Sequence, residues 1–233
     1  MSLLLIAHGS PDLRHSTSMQ SLATTVQSQS HLATSVAFLE HNEPTVVDAV
    51  RLPTADRTNQ PLHVLGLFLS SGYHATVDVP HLVAATTQYT QVVDHGSVGM
   101  GPWLLPALER NLAEAGLDLS QPRTGVVLVA AGSSNAEARE ETAELAAAWR
   151  YVRGISVQPA YASGQGPTVP EALEALALEG CQRSAVSTLM LAPGVLTDRV
   201  TESARAAGVP VAAPLASAPE VAQQIVELVT TTK

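Results

Sequence analysis

Lysine is nearly missing from this 233-residue chain: it occurs once, at Lys233, and every other basic side chain is an arginine. No lysine therefore stands where a phosphate-gripping Walker A loop or a Schiff-base enzyme needs one. Cysteine also occurs once, as Cys181. That excludes an intrachain disulfide, an all-cysteine zinc site and an iron–sulfur cluster held by this chain's thiolates alone. Cys181 follows Gly180 before an apolar run and reads as a packing residue rather than a nucleophile. Aromatic residues make up 3% and charged residues 14%, while 45% are hydrophobic, which fits neither a disordered chain nor a charged coiled coil. Acidic residues outnumber basic ones 21 to 12, for a net charge of −9, so no broad basic face is available to grip nucleic acid. No apolar run reaches the roughly 18 residues of a membrane span. The stretch Leu3 to Ala7 is too short for a signal h-region and has no basic n-region before it. A soluble cytoplasmic protein is expected, with neither a membrane nor a nucleic acid as partner. Gly96-Ser97-Val98-Gly99-Met100-Gly101 has the wrong order for a G-x-G-x-x-G dinucleotide turn, no G-x-S-x-G elbow surrounds Ser10 or Ser133, and no H-E-x-x-H occurs.

What is present is unevenly placed. All eight histidines lie within the first 95 residues, and the second half has none. Metal or proton chemistry is therefore expected in the first half. The chain also repeats itself. Ala7-His8-Gly9-Ser10 corresponds to Ala130-Ala131-Gly132-Ser133, and Pro44-Thr45-Val46 to Pro167-Thr168-Val169, both 123 residues on. Phe68-Leu69-Ser70-Ser71-Gly72 corresponds to Met190-Leu191-Ala192-Pro193-Gly194, 122 residues on. A period this long means duplicated domains rather than a solenoid.

Within each repeat, short apolar runs alternate with amphipathic stretches. Strands are expected at 2–7, 35–40, 62–69 and 91–94, then at 125–131, 155–161, 184–191 and 209–213. Helices are expected near 15–30, 44–51, 77–88 and 102–115, then near 135–150, 168–179, 198–207 and 217–230. Ser217-Ala218-Pro219-Glu220 has the form of a capping box. Continuous apolar strands alternating with helices indicate an α/β fold: two similar parallel-sheet βαβ domains related by internal duplication. The expected division is 1–116, a linker at 117–124, and 125–233. Such a duplication makes an obligate dimer unnecessary, and a monomer is expected.

In open parallel sheets, ligands bind beyond the carboxyl ends of the strands. His8 ends the first strand, Glu40 the second, and His74 follows the third. With strand order 2-1-3-4 these ends are neighbours. Two imidazoles and a carboxylate suit a divalent first-row ion such as Fe2+, Co2+ or Zn2+. Gly9 and Gly72 beside the histidines leave room for a bulky ligand. At the corresponding positions the second repeat has Ala131, Ser163 and Leu196, so the scaffold is kept without the candidate ligands. His15, His31, His41, His63 and His81 read as solvated or structural, and His95 as a lesser candidate for the same crevice.

Taken together, Leu4-Leu5-Ile6-Ala7-His8-Gly9-Ser10 with Asp12 and Arg14, Phe38-Leu39-Glu40 with Pro44, and Phe68-Leu69 with Gly72-Tyr73-His74 and Asp78-Val79-Pro80 resemble the motifs of the class II tetrapyrrole chelatases, the sirohydrochlorin ferrochelatases and cobaltochelatases. The resemblance covers the whole chain, in the long form with two tandem half-domains. It implies that His8 and His74 are the catalytic pair, that His8, Glu40 and His74 hold the metal, and that only the first half is active. It implies a lyase that inserts Fe2+ into sirohydrochlorin to give sirohaem without ATP. Cobalt insertion for cobalamin, and a non-catalytic tetrapyrrole or metal carrier, stand as alternatives, and a metal-dependent hydrolase is a third class. The metal is then substrate, and no tightly bound cofactor is expected. A polyanionic tetrapyrrole needs local positive groups on an acidic chain. Arg14, Arg51 and Arg57 are candidates for its carboxylates, equally readable as surface arginines. The backbone around Ser10, with Gly72 and Tyr73, completes the candidate substrate contacts.

Overall fold

The computed structural model describes residues 2–51 and 60–231, and the backbone alone of His74. It contains two parallel sheets flanked by helices. In the first, β1 (Ser2–Ala7), β2 (Ala33–Phe38), β3 (Leu62–Gly66) and β4 (Val92–Ser97) lie in the order β2-β1-β3-β4. In the second, β5 (Thr124–Ala130), β6 (Ser156–Tyr161) and β7 (Arg183–Leu189) lie in the order β6-β5-β7. The alternation of strands and helices expected from the apolar pattern is present, and both sheets are parallel throughout.

The central strands are the most apolar, as burial on both faces requires. Every residue of β1 is buried, and Leu3 to Ile6 have no solvent contact. Each such side chain contributes about 1.5–3 kcal/mol relative to exposure, so the strand that presents His8 is anchored along its length. The edge strand β2 is buried only in its last three residues, Val36 to Phe38, next to where Glu40 emerges.

The helices are α1 (Leu13–Ser30), α2 (Val46–Arg51), α3 (Val79–Thr86), α4 (Leu105–Glu114), α5 (Ala136–Arg153), α6 (Val169–Leu178), α7 (Val195–Ala206) and α8 (Pro219–Thr231). A π-helical turn, His74–Asp78, precedes α3. Matching ends show how closely the two halves correspond. Asp12 caps α1 by accepting from the Arg14 amide at 2.9 Å, and Asn135 caps α5 by accepting from the Glu137 amide at 3.0 Å. Both helices stop at a left-handed residue, His31 and Gly154.

Two expectations are corrected. No strand forms at 209–213: Val211 makes only an isolated bridge to Val186. Pro210 and Pro214 lack the N–H groups that a ladder needs. Ser217 does not cap α8; it ends a 3-10 turn, and Glu220 pairs with Arg110 at 2.5 Å. The compact units also differ from the sequence repeats by one helix each. One unit comprises Met1–Gly99 with Val221–Lys233, the other Met100–Glu220. In the second unit, α4 packs against β7, and the buried Asn111 amide donates to the Ala213 carbonyl at 3.0 Å. No helix among the described residues is long and apolar enough to cross a membrane.

Candidate functional site

Strand register brings His8 and Glu40 together. Ala7 pairs with Phe38, and the ladder continues one step beyond: the Leu39 amide donates to the Ala7 carbonyl and the Glu40 amide to the His8 carbonyl, both at 3.0 Å. Gly9 makes that approach possible. Its φ is +94°, and a Cβ on it would lie 1.8 Å from the Glu40 carbonyl oxygen. No side-chain-bearing residue fits there.

The His8 imidazole is oriented by its own loop. Nδ1 lies 2.9 Å from the Gly9 carbonyl, and a carbonyl only accepts, so Nδ1 carries the proton. Nε2 faces Glu40 Oε1 at 3.5 Å. This is how metal-binding histidines are held, with one nitrogen donating to a carbonyl and the other presented outward. The two side chains are 39% and 48% exposed, which leaves them accessible from solvent. Glu40 also lines a cavity of about 450 Å3 with Leu39, Asp78, His81 and Leu82.

The third candidate, His74, opens the π-helical turn, whose first amides, of Ala75 and Thr76, donate to the Gly72 carbonyl at 3.0 and 3.1 Å. The turn follows β3, the neighbour of β1, but the His74 side chain lies outside the described residues. Among the described residues, no three His, Cys, Asp or Glu side chains come together as a metal-holding group. Tyr73 is 65% exposed at the start of this turn. At Gly72 a Cβ would meet only Ser70 Oγ, at 3.7 Å, so the turn itself does not demand glycine there.

The candidate substrate contacts are placed less simply. The Ser10 amide donates to Asn42 Oδ1 at 2.7 Å and is engaged within the protein. Arg14 is forked onto Asp12, at 3.0 Å from Nε and 2.5 Å from Nη2, so a substrate carboxylate would have to share that guanidinium. The arginine in turn holds the Asp12 carboxyl below its ordinary value. Arg51 donates to the Tyr89 hydroxyl at 2.6 Å and covers that ring at 4.8 Å. It ends α2, and Tyr89 comes just before β4 begins, so Arg51 lies toward the amino ends of the strands. Arg57 lies outside the described residues.

Sequence reading passed over three histidines here. His41 Nε2 lies 3.4 Å from Glu40 Oε2, on the carboxylate oxygen that His8 does not face. His81 lines the cavity beside Glu40. His15 is half-buried against Phe38, and its Nδ1 is buried with no partner among the described residues. Burial, and secondarily the charge of His8, hold its pKa below the usual value, while Asp12 acts in the opposite direction. The clue to His41 was its neighbour in sequence; His15 stands seven residues after His8, and nothing in that spacing marks it. His95 does not join this group. Its Nε2 meets His63 Nδ1 at 2.7 Å.

With this geometry in place, the CbiX family profile matches residues 2–115 and again residues 125–232. The chain belongs to the CbiX family. This is the class II chelatase family that the three motifs resemble, and the double match follows the internal repeat. Solved structures share the fold. SirB from Bacillus subtilis with Fe3+ is 17% identical with a TM-score of 0.82, over 99% of this chain and 96% of that one. The sirohydrochlorin chelatase SirB from Bacillus subtilis subspecies spizizenii in complex with cobalt is 16% identical with a TM-score of 0.78, over 99% and 94%. CbiX, the terminal enzyme for biosynthesis of sirohaem in denitrifying bacteria, is 17% identical with a TM-score of 0.64, over the full length of both chains. No curated protein sequence matches the chain. The CbiX fold thus accounts for both halves, while His8 and Glu40 occur only in the first.

Proposed function

We propose that this chain is a sirohydrochlorin chelatase that inserts Fe2+ into the macrocycle to form sirohaem, with no nucleotide, acting as a single chain in the cytoplasm. The observation that carries the reading is the His8–Glu40 pair, with Nε2 presented to the carboxylate at 3.5 Å at the carboxyl ends of adjacent strands. Membership of the CbiX family supports it, as do relatives of the same fold described with iron and with sirohaem formation.

The chemistry asks little more of the protein. A divalent ion must shed water, and two pyrrole N–H protons must leave. The Nε2 lone pair of His8 and the Glu40 carboxylate replace water ligands on the ion, and His74 supplies the second imidazole. An imidazole with an ordinary pKa of about 6.5 binds metal or takes up a proton near neutral pH. Holding ion and ring in register provides the remaining acceleration. Tyr73 and Gly72 offer an exposed apolar ring and an uncrowded backbone beside the turn that carries His74, and Arg14 is the described arginine nearest in sequence to His8.

Cobalt insertion is the second reading, favoured by the cobalt complex of a relative with this fold and by a ligand set that takes either ion. Purified protein mixed with sirohydrochlorin and Fe2+ or Co2+ tests both, with the pigment's absorbance followed over many equivalents. Catalytic turnover is expected, faster with the physiological ion. A change that stops at one equivalent would mean a carrier, and an unchanged spectrum would sink the proposal. His8→Ala and His74→Ala are each expected to lower turnover at least about 100-fold with the circular dichroism spectrum intact. Full turnover in the double variant would overturn the assignment.

A further inference from the structure

We propose that Glu40 serves two adjacent cation positions rather than one, and that His41 with Glu40 forms an outer half-site at which a divalent first-row cation is first captured. The proposal rests on the reading of Glu40 as a metal-holding carboxylate. His8 Nε2 faces Glu40 Oε1 at 3.5 Å, and His41 Nε2 faces Glu40 Oε2 at 3.4 Å. Charge-assisted N–H···O bonds are shorter, about 2.7–2.9 Å. An imidazole nitrogen and a carboxylate oxygen that share a tetrahedral ion, each about 2.0–2.2 Å from it, stand about 3.4 Å apart. Both pairs have the span of a metal bite. They lie on different oxygens of the carboxylate, and no three-residue metal group forms among the described residues.

The backbone supports a purpose for His41. Its φ is +65°, in the left-handed region, and the repeat has Gly164 there with φ +80°. The fold thus requires a left-handed residue at this position, for which glycine is the least strained choice. The half with the candidate site has an imidazole instead, and it reaches the carboxylate. His31 provides the comparison. It too is left-handed, with Gly154 as its counterpart, and no carboxylate pairs with it among the described residues. Its role as a helix C-cap explains its conformation fully.

Transfer from the outer to the inner position is a ligand exchange. The ion passes from Glu40 Oε2 to Oε1, the bond to Oε2 breaking as the bond to Oε1 forms, while the His41 nitrogen leaves and the His8 nitrogen takes its place. No proton or electron moves. The outer side chain is 44% exposed, so an arriving hydrated ion can exchange water for it.

Binding of Co2+ alone, without tetrapyrrole, tests this by calorimetry and by the visible d–d spectrum. The full-length variants are His41→Gly and His31→Gly, each restoring the residue of the other repeat, and His8→Ala alone and combined with His41→Gly. His41→Gly is expected to weaken Co2+ binding about tenfold or more, given that loss of even an outer-shell partner costs that much. His31→Gly is expected to leave it unchanged. His8→Ala should retain a weaker site that the double variant loses. Equal affinity in wild type and His41→Gly, or equal losses in His41→Gly and His31→Gly, would overturn the proposal. Turnover is measured separately. Wild-type protein that fails to metallate sirohydrochlorin but loses Co2+ affinity with His41 would refute the chelatase reading and leave the outer half-site standing.

Discussion

The internal repeat allows one perturbation to be made twice, once in each half. Gly9 and Gly132 occupy the same loop, with φ of +94° and +98°, and a Cβ on either would strike a carbonyl oxygen, that of Glu40 at 1.8 Å or of Ser163 at 1.9 Å. An alanine in left-handed backbone costs about 1–2 kcal/mol. Forcing a methyl group into packed surroundings adds about 1–3 kcal/mol. Gly9→Ala and Gly132→Ala should therefore each destabilise by about 2–5 kcal/mol, a fall in Tm on the order of 10 °C for a chain of this size. The functional consequences should differ. For the Cβ to reach even 3.0 Å from the oxygen, where it starts at 1.8 Å, the His8 and Glu40 loops must part by about 1.2 Å. A displacement of about 1 Å between reacting groups can lower a rate about 100-fold. The same opening at Gly132 separates Ala131 from Ser163, neither of which can hold an ion through imidazole or carboxylate. Thermal melts followed by sirohydrochlorin metallation well below the lower Tm measure both effects. Similar Tm losses with a large turnover loss only in Gly9→Ala are expected. Equal turnover losses would show that the site is not confined to the first half, and wild-type Tm in both variants would refute the close approach itself.

Two further outcomes concern stability. His63 and His95 both have pKa values held below the ordinary histidine value, first by burial, with His95 adding to the effect on His63, while Asp94 and the Leu228 carbonyl oppose it at His95. The unfolded chain then binds more protons than the folded one as pH falls below about 6.5, so stability present above that value is lost with falling pH, by at most about 1.4 kcal/mol per pH unit per extra proton. Urea unfolding between pH 7.5 and 5 should show the loss, and His63→Gln should flatten it; an unchanged slope refutes the pair's share. Asn111→Ala removes a buried amide that donates to the Ala213 and Pro214 carbonyls. A loss of about 1–3 kcal/mol is expected in thermal or urea unfolding, and a change under about 0.5 kcal/mol would show that water replaces the amide.

Much of the fold could be read from composition patterns because the central strands are buried on both faces. Leu3 to Ile6 and Val126 to Val129 are unbroken apolar runs, and both prove fully buried. The run at 209–213 has similar character, but Pro210 within it and Pro214 just after it withhold ladder donors, which apolar counting does not register. The sheet order β2-β1-β3-β4 entered the reading only as a condition, since chain order does not fix which strand lies beside which. Within the candidate site, His8 and Glu40 were legible as unusual residues at strand ends. His41 was not, because its position matters through a left-handed backbone that only the comparison with Gly164 reveals. Arg14 shows what residue type alone does not tell: Asp12, two residues earlier, already engages its guanidinium, so a substrate carboxylate would have to share it.

The repeat also shows the same loop without the candidate ligands. The ladder beyond β5 is kept, with the Ala162 amide donating to the Ala130 carbonyl at 2.9 Å as Leu39 donates to Ala7. Gly132 repeats the close approach of Gly9. What differs is the direction of the side-chain chemistry. Ser163, in the place of Glu40, turns its hydroxyl onto the Ala131 carbonyl at 2.8 Å and so serves the backbone of its own loop. Glu40 offers no proton when ionised, cannot satisfy that carbonyl, and instead faces imidazoles on both oxygens. One loop geometry thus supports either a closed internal hydrogen bond or an acceptor held toward solvent. A carboxylate left 48% exposed between two nitrogens gains little stability from those contacts, since exposed ion pairs contribute about 0–1 kcal/mol. Stability alone would be served as well by the serine of the other half, which is why the carboxylate in the first half supports the proposed ion-holding role of Glu40.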